Sequence, residues 1–403
     1  MSRIPAPWLK SILLTIYPKP AITRDEIIRS TGLNPASVSQ ALQHLLSSGT
    51  VLKVGELKSR GGRRREVLKL NPEAGYFIAV DLETARIRYA LTNLVGDIRY
   101  RWEQELEFGK GVDVADLLHG MEMVQRNLME WQYSRLLAVG ISCPGIIHEN
   151  RRVTAVNLGW RKFPLSEKLE EATKLPLSLE TACRAYVLAE RWLGCAQGVD
   201  NCIYIEIGRG VGAGIVVDGR YLEGDDHMAG EFGHITIDAS ADDPCHCGKR
   251  GCLEAIASSS GILRQYREKS RLSEAEKGRL RLGDVFDSAR RNEPVALAVI
   301  DRASQALGLG LSHLIVLFNP ALIILGGDLL QGEDLLVPRI RKALADHTPE
   351  FVKKTQVSVT RLGLDIGLKG AAFLALFLAF QNSVSHPDLI QKLCAPVMET
   401  IAV

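Results

Sequence analysis

The N-terminal part of the chain shows apolar residues at helical spacing, separated by capping signals. Residues 8–17 form the first such stretch. Thr23 and Glu26 form a capping box, which predicts a second, short helix that ends near Gly32. Asn34 suits the N-cap of a third helix. Apolar side chains recur at helical spacing along this third helix, at Val38, Ala41, Leu42 and Leu45.

Two strand-like runs then flank a basic, glycine-containing loop at 60–65. The order of helix, helix, turn, helix and hairpin predicts a winged helix-turn-helix, whose third helix enters the DNA major groove. Opposite the apolar stripe of that helix we expect four residues to contact DNA, namely Ser37, Ser39, Gln40 and Gln43. In the wing we expect four arginines to contact phosphates or a narrow minor groove, namely Arg60, Arg63, Arg64 and Arg65. A small protein-interaction module with a basic loop is the alternative.

Charge divides the chain at the same place. The first 70 residues carry 12 Lys and Arg against 4 Asp and Glu, a net charge of +8, and the remainder carries −6. This asymmetry favours a polyanion partner for the basic module alone, although a solvated basic face would show the same charge. The longest apolar run, 371–380, is far shorter than the roughly 20 residues of a bilayer span. We therefore expect a cytoplasmic protein without membrane insertion.

From about Gly75 onward, strand-like and helical segments alternate. The segment 114–133 has a helical pattern, and 202–217 resembles two strands around a glycine-rich turn. A further helical pattern covers 296–317 and precedes an apolar strand. Strands that alternate with helices indicate an α/β protein.

Three of the eight cysteines lie close together. Cys245, Cys247 and Cys252 follow His234, and three thiolates with one imidazole make the closed tetrahedral set of a structural zinc site. His246 competes as a ligand, but its position between two cysteines strains simultaneous ligation. Three reduced cysteines in a loop are the alternative reading of this motif.

A run of glycines offers a second candidate site. Gly208, Gly210 and Gly212 occupy alternate positions, which permits the backbone to approach a phosphate closely. A tight hairpin produces the same pattern, so the glycines alone do not distinguish the two.

Six segments together resemble the ROK family of sugar kinases and sugar-responsive repressors. They follow the family's order and spacing: ISCPGII, NLGW, GRGVGAGIVVDG, AGEFGH, CHCGKRGCLE and NPALIILGGD. The resemblance implies an α/β fold of the actin/hexokinase-like (ribonuclease H-like) ATPase type, with two lobes around a sugar-binding cleft. It implies a winged helix-turn-helix DNA-binding domain over 1–72 and a sugar-kinase-like domain over 73–403, with a zinc-binding loop near 234–252. The winged helix points to the family's repressor branch.

The resemblance also implies roles for particular residues. Four residues would contact the sugar, namely Asn157, Glu231, His234 and Glu254. His234 would bind zinc as well, which couples the metal to the pocket. Gly208, Gly210 and Gly212 would be a vestigial phosphate loop. Solvation or helix capping is the alternative role for the acidic residues.

The chain departs from the family's kinases at two places. Ala182 stands at the catalytic aspartate, and Thr181 and Arg184 replace the two asparagines around it. The family's phosphate loop, Asp-x-Gly-Gly-Thr, is DLETA here, and Glu83 brings negative charge toward the ATP phosphates. Phosphoryl transfer to a hydroxyl needs a base, which alanine cannot supply, and Glu180 lies two residues away. We expect no kinase activity.

These features lead us to expect a DNA-binding transcriptional regulator, a repressor of sugar-metabolism genes, that senses a sugar without phosphorylating it. The expected partners are a double-stranded DNA operator, a sugar or sugar derivative as effector, and further copies of the chain in a homodimer or homotetramer. Structural Zn²⁺ is the expected cofactor. One alternative is an ATP-dependent sugar kinase with an accessory DNA-binding domain. Another is a repressor that a protein partner controls, with a vestigial pocket.

Overall fold

The computed structural model describes residues 4–17, 19–57, 65–83, 85–107, 111–352, 354–381 and 393. The chain forms two compact units. Unit 1 comprises Met1–Ala185 and Asp365–Val403, and unit 2 comprises Tyr186–Leu364.

Unit 1 begins with the predicted helices and hairpin. The elements are α1 (Ala6–Ile16), β1 (Ile22–Thr23), α2 (Arg24–Thr31), α3 (Pro35–Ser47), β2 (Val51–Leu57) and β3 (Arg65–Leu70), and the strands pair in the order β1-β3-β2. The predicted capping signals are present. The Thr23 hydroxyl accepts the Glu26 N–H while Glu26 accepts the Thr23 N–H, and Asn34 accepts the Ser37 N–H. This order of helices and strands is the one expected for a winged helix-turn-helix.

The remainder of unit 1 before its last helix is an α/β layer structure. Its elements are β4 (Tyr76–Leu82), β5 (Arg86–Asn93), β6 (Ile98–Glu105), α4 (Val114–Gln125), α5 (Glu130–Tyr133), β7 (Leu136–Cys143), β8 (Ile146–Ile147), β9 (Val153–Ala155), β10 (Trp160–Phe163), α6 (Leu165–Thr173), β11 (Leu177–Thr181) and α7 (Ala182–Leu193), the last of which continues into unit 2. The helical segment expected over 114–133 forms two helices, α4 and α5, with a break after Gln125.

Unit 2 is a second α/β layer structure. Its further elements are β12 (Cys202–Ile207), β13 (Val211–Val217), β14 (Arg220–Tyr221), α8 (Leu253–Ala257), α9 (Ser259–Lys269), α10 (Glu274–Arg279), α11 (Leu282–Arg290), α12 (Pro294–Phe318), β15 (Leu322–Gly326), α13 (Glu333–His347) and β16 (Gln356–Val359). The chain then returns to unit 1 with α14 (Ile366–Gln381). The two strands expected over 202–217 and the helix expected over 296–317 are confirmed.

The two units share a sheet pattern. The sheet of unit 1 has the order β11-β7-β4-β5-β6, in which β11, β7 and β4 are parallel. The sheet of unit 2 has the order β14-β13-β12-β15-β16, in which β12, β15 and β16 are parallel. The carboxyl ends of parallel strands are where α/β proteins commonly place their ligands. The glycine run and the DLETA segment both lie at such ends.

Helix α14 closes the core of unit 1. A Cβ on Gly140 of β7 would lie 1.8 Å from the carbonyl oxygen of Ala371, so the helix rests directly on the strand backbone. The same helix contacts the N-terminal module, since the Tyr17 ring lies 5.8 Å from the Phe373 ring and 6.2 Å from the Phe380 ring. By length and composition the stretch Gly363–Phe380 could cross a membrane, but 72% of it is buried. Its packing is that of a core helix.

Candidate functional site

Four potential metal ligands converge in unit 2. His234 ends a short 3-10 turn, and the three cysteines lie on the loop that leads into α8. The Nδ1 atom of His234 lies 3.5 Å from Sγ of Cys245, and the Sγ atoms of Cys247 and Cys252 are 3.7 Å apart. All four ligand atoms lie within 4.8 Å of one another. A tetrahedral zinc site with Zn–S of about 2.3 Å and Zn–N of about 2.0 Å has S–S and S–N edges of about 3.8 and 3.5 Å, so the donor set fits this ion.

The backbone of the cysteine loop is held in a tight turn. The Cys245 N–H donates to the Lys249 carbonyl at 2.9 Å, and the Gly248 N–H donates to the Cys245 carbonyl at 3.0 Å. Gly251 has a φ of 67°, and a Cβ there would lie 1.8 Å from the Asp238 carbonyl oxygen. A glycine is therefore required at this position. The loop presents its thiols from a fixed backbone.

The thiols of the cluster differ in acidity. Burial raises the pKa of Cys245 to about 12 and also raises that of Cys252. The backbone N–H of Lys249 lowers the pKa of Cys247, whose side chain is exposed. A divalent cation must displace protons from the two buried thiols, so metal binding at neutral pH releases protons.

His246 lies beside the cluster rather than in the fourfold ligand set. Its side chain is 75% exposed, and its Nδ1 atom lies 2.9 Å from Oε1 of Glu254. Together with His234, these two residues form a second, overlapping group of potential ligands. The structure therefore favours His234 with the three cysteines, because only that set supplies four donors.

Three of the four residues proposed to contact a sugar lie near this cluster. Oε2 of Glu231 is 3.7 Å from Nε2 of His234, so His234 turns one nitrogen to the thiols and the other to a carboxylate. Glu254 is largely buried, and its Oε2 atom accepts the Val211 N–H at 3.0 Å. Asn157 is exposed and belongs to unit 1, whereas the other three belong to unit 2.

The glycine run forms the turn between β12 and β13, with Gly212 already within β13. A Cβ on Gly210 would lie 2.6 Å from Oε2 of Glu254, so the turn packs directly on this carboxylate. The Cβ position of Gly208 lies 3.4 Å from a carboxylate oxygen of Glu206 and 3.7 Å from one of Asp328. Sequence reasoning missed these two acidic neighbours, which disfavour a phosphate at the turn.

The DLETA segment of unit 1 contains an internal ion-pair network. Nη2 of Arg88 lies 2.6 Å from a carboxylate oxygen of Asp81 and 2.6 Å from one of Glu83, and Arg86 also pairs with Glu83 at 2.9 Å. Burial raises the pKa of Asp81 to about 6, although Arg88 opposes this shift. Arg86 and Arg88 thus compensate the negative charge of Glu83. This corrects the expectation that Glu83 alone would repel the ATP phosphates. Thr84 lies outside the described residues.

Arg88 was missed by sequence reasoning, but the strand pairing carried a signal for it. Asp81 on β4 and Arg88 on β5 are direct antiparallel partners. Oppositely charged residues in facing positions of a predicted hairpin pair with each other. Arg88 therefore lies within reach of both carboxylates of the DLETA segment.

Ala182 is the first residue of α7, directly after β11. The neighbouring carboxylate, Glu180, accepts hydrogen bonds from Nη1 of Arg184 at 3.1 Å and from the Thr181 N–H at 2.7 Å. Both donors bind the same oxygen, Oε1. Glu180 is engaged locally, which supports the view that it does not replace the missing base.

The exposed face of α3 differs from the expected one at one position. Gln40 and Gln43 are exposed, and Ser39 accepts a hydrogen bond from Arg24 at 3.3 Å. Ser37 is only 5% exposed, so its placement on the outer face is wrong. It lies in the first turn beside Val38, where the helix still faces the core. Ala36 is exposed instead, and alanine has no polar group that would mark it as a DNA contact.

The wing strands carry both charges. Glu66 on β3 lies 3.3 Å from Arg24 and 3.2 Å from Lys53, and Arg65 is exposed beside it. Arg60, Arg63 and Arg64 lie outside the described residues. Two of the module's cations are thus partly neutralised within the protein.

Comparisons with known proteins agree with the fold. The family model described as ROK family matches residues 77–377. The chain is 33% identical to a glucokinase of Halalkalibacterium halodurans over 74% of this chain and 94% of the relative. It is 28% identical to a xylose repressor of Bacillus spizizenii over 91% of this chain and 94% of the relative.

A solved structure matches almost the whole chain. It is a ROK family transcriptional regulator described as a homologue of the Escherichia coli MLC protein, with a TM-score of 0.75 and 26% identity. The match covers 96% of this chain and 99% of that one, so it includes the N-terminal module. Together with the family model and the glucokinase relative, this likeness establishes the family. The chain belongs to the ROK family.

Proposed function

We propose that this chain is a DNA-binding transcriptional regulator, a repressor of sugar-metabolism genes, that binds a sugar or sugar derivative without phosphorylating it. The observation that carries the proposal is a winged helix-turn-helix on the same chain as a kinase-like fold with Ala182 at the catalytic position. The repressor relative supports it, because that match covers 91% of this chain and must therefore include part of the first 72 residues.

The DNA-binding role rests on the outer face of α3 and on the wing. Gln40 and Gln43 present amide groups, which pair with base edges in the major groove. Arg65 and the loop arginines Arg60, Arg63 and Arg64 supply phosphate contacts, and Ser39 supplies a hydroxyl. The domain boundary near residue 72 remains our proposal.

The sensing role rests on polar groups that the loss of catalysis leaves in place. Asn157, Glu231, His234 and Glu254 retain the amide, carboxylate and imidazole groups that recognise a polyol. Zn²⁺ at His234, Cys245, Cys247 and Cys252 would fix the loop that lies between Glu231 and Glu254, and it would have no open coordination position. We place the protein in the cytoplasm as a homodimer or homotetramer, in which two winged helices bind paired half-sites.

A sugar kinase with an accessory DNA-binding domain is the second candidate, and the glucokinase relative favours it. Against it stand three local features: Ala182, the Arg88 network in the DLETA segment, and the carboxylates of Glu206 and Asp328 beside Gly208. A third candidate is control by a protein partner, which would need no ligand pocket. An operator affinity that no small-molecule effector changes would favour it.

Gln43→Ala should weaken binding to a duplex that the wild-type protein selects from a random pool. The expected loss is about tenfold, because one amide contact to a base edge is removed. The salt dependence of binding should not change, since glutamine is neutral. Ser47→Ala, an exposed change one turn further along α3, is the matched control. Equal affinity of Gln43→Ala and wild type in a gel-shift titration would refute the assignment of this face.

Ala182→Asp should not create a sugar kinase. The restored carboxylate supplies a base, but Arg88 still occupies the phosphate segment and Arg184 still replaces an asparagine. We expect no ATP-dependent sugar phosphate above background from either protein with glucose, xylose or N-acetylglucosamine. The Halalkalibacterium halodurans glucokinase serves as the positive control. Turnover by the wild-type protein that Glu231→Gln abolishes would instead support the kinase.

Cys252→Ser should remove bound metal from the protein. The wild-type chain should carry about one zinc ion, and the variant far less, because a closed site loses one of its four ligands. The variant's Tm should fall as well. Elemental analysis of the purified proteins measures the zinc, and Cys195→Ser, an exposed cysteine outside the cluster, is the control. Full zinc content in Cys252→Ser would show that the cluster does not hold the ion.

A further inference from the structure

A buried carboxylate lies at the start of the cysteine loop. Asp243 is 7% exposed and precedes Cys245 by two residues. Two arginines from different helices bind it: Arg264 of α9 donates to Oδ1, and Arg302 of α12 donates to both carboxylate oxygens. None of these three side chains belongs to the fourfold ligand set. A carboxylate with two arginine partners is a strong, geometrically restrictive contact.

The same arginines reach the segment after the loop. Nη2 of Arg264 also donates to the Ala255 carbonyl at 3.1 Å, three residues beyond Cys252. Nη1 of Arg302 donates at 2.7 Å to Oε1 of Gln265, whose amide donates at 2.7 Å to the Ile256 carbonyl. Arg264 and Arg302 therefore connect the segment before Cys245 to the backbone after Cys252.

The backbone closes the loop at the same point. The Gly251 N–H donates to the Asp243 carbonyl oxygen at 3.1 Å. The side chain and the carbonyl of Asp243 together join both ends of the loop to each other and to two helices of unit 2. A loop that is fixed before the ion arrives loses less conformational entropy on metal binding.

We propose that Asp243, held by Arg264 and Arg302, is a positioning residue that keeps the Cys245–Cys252 loop in its metal-binding geometry. The inference rests on the metal site proposed above and extends it to residues that do not touch the ion. It predicts that the contact contributes to metal affinity and not only to the stability of the fold. A buried ion pair is by itself weak evidence for stability, so the two contributions must be measured separately.

The test compares zinc affinity in three full-length proteins at 25 °C by competition with a chromophoric chelator. Asp243→Asn keeps the size of the side chain and removes its charge. We expect its zinc affinity to be about tenfold weaker than that of wild type, the usual cost of losing a supporting contact around a metal site. Asp346→Asn is the matched control, because it makes the same chemical change at an exposed residue of α13, outside the cysteine loop. Its affinity should equal that of wild type.

A second readout separates positioning from general stability. Zinc raises the Tm of any protein whose folded state binds it, by an amount that depends on affinity. If Asp243 positions the loop, the zinc-induced gain in Tm should shrink in Asp243→Asn. A purely structural role would lower the Tm of the metal-free and zinc-bound forms equally and would leave the gain unchanged. That result, or an unchanged zinc affinity, would overturn the proposal.

Arg264→Gln removes one arm only and provides a milder variant should Asp243→Asn fail to fold. It should weaken zinc binding in the same direction, and its combination with Asp243→Asn should cost less than the product of the two single effects, because both act on one contact. Multiplicative effects would contradict a shared contact. A wild-type protein that binds no zinc would overturn the metal site together with this inference, whereas the operator-binding test on Gln43 would be unaffected.

Discussion

The pairing of Arg88 with the buried carboxylate of Asp81 constrains what unit 1 can do. An ionised carboxylate without solvent needs a partner of opposite charge, and here the partner is a side chain of the neighbouring strand. The same guanidinium binds Glu83, so both carboxylates of the DLETA segment are neutralised from within the protein. Because its carboxylates are already paired with arginines, this segment is poorly suited to bind a nucleotide or its metal ion. The regulator interpretation depends on this internal neutralisation as much as on Ala182.

In unit 2, by contrast, polar groups converge at the proposed metal site and at the proposed sugar contacts beside it. His234 divides its two ring nitrogens between the thiols and Glu231, and Glu254 connects the cysteine loop to the glycine turn. Metal binding would therefore stabilise the segments that carry the three proposed sugar contacts of unit 2. The proposed absence of catalysis is compatible with this organisation, because recognition of a polyol needs no base.

The N-terminal module meets the rest of unit 1 at α14. The aromatic contacts of Tyr17 with Phe373 and Phe380 place the module against a helix that also rests on the central strand β7. This helix thus contacts both the N-terminal module and the sheet whose strand β4 carries Asp81. Its packing provides a physical connection between the two parts of unit 1.

Much of this was predictable from the sequence, for identifiable reasons. Capping residues such as Thr23 and Asn34 act locally, so the first helices were predicted correctly, and the cysteine spacing alone indicated the group of potential metal ligands. Ser37 was misplaced because periodicity gives a helix face only approximately in its first turn. Arg88 and the arginines on Asp243 were missed because their contacts depend on strand register and on residues distant in sequence.

The central claim is that the chain converts sugar binding into a change in operator affinity without chemistry on the sugar. It is tested most directly by titrating the complex of protein and selected operator with glucose, xylose and N-acetylglucosamine, with and without ATP, while sugar phosphate is measured. We expect at least one sugar to lower operator affinity equally with and without ATP, and no sugar phosphate to form. An operator affinity that no sugar changes, or a change that requires ATP and accompanies phosphorylation of the sugar, would contradict it.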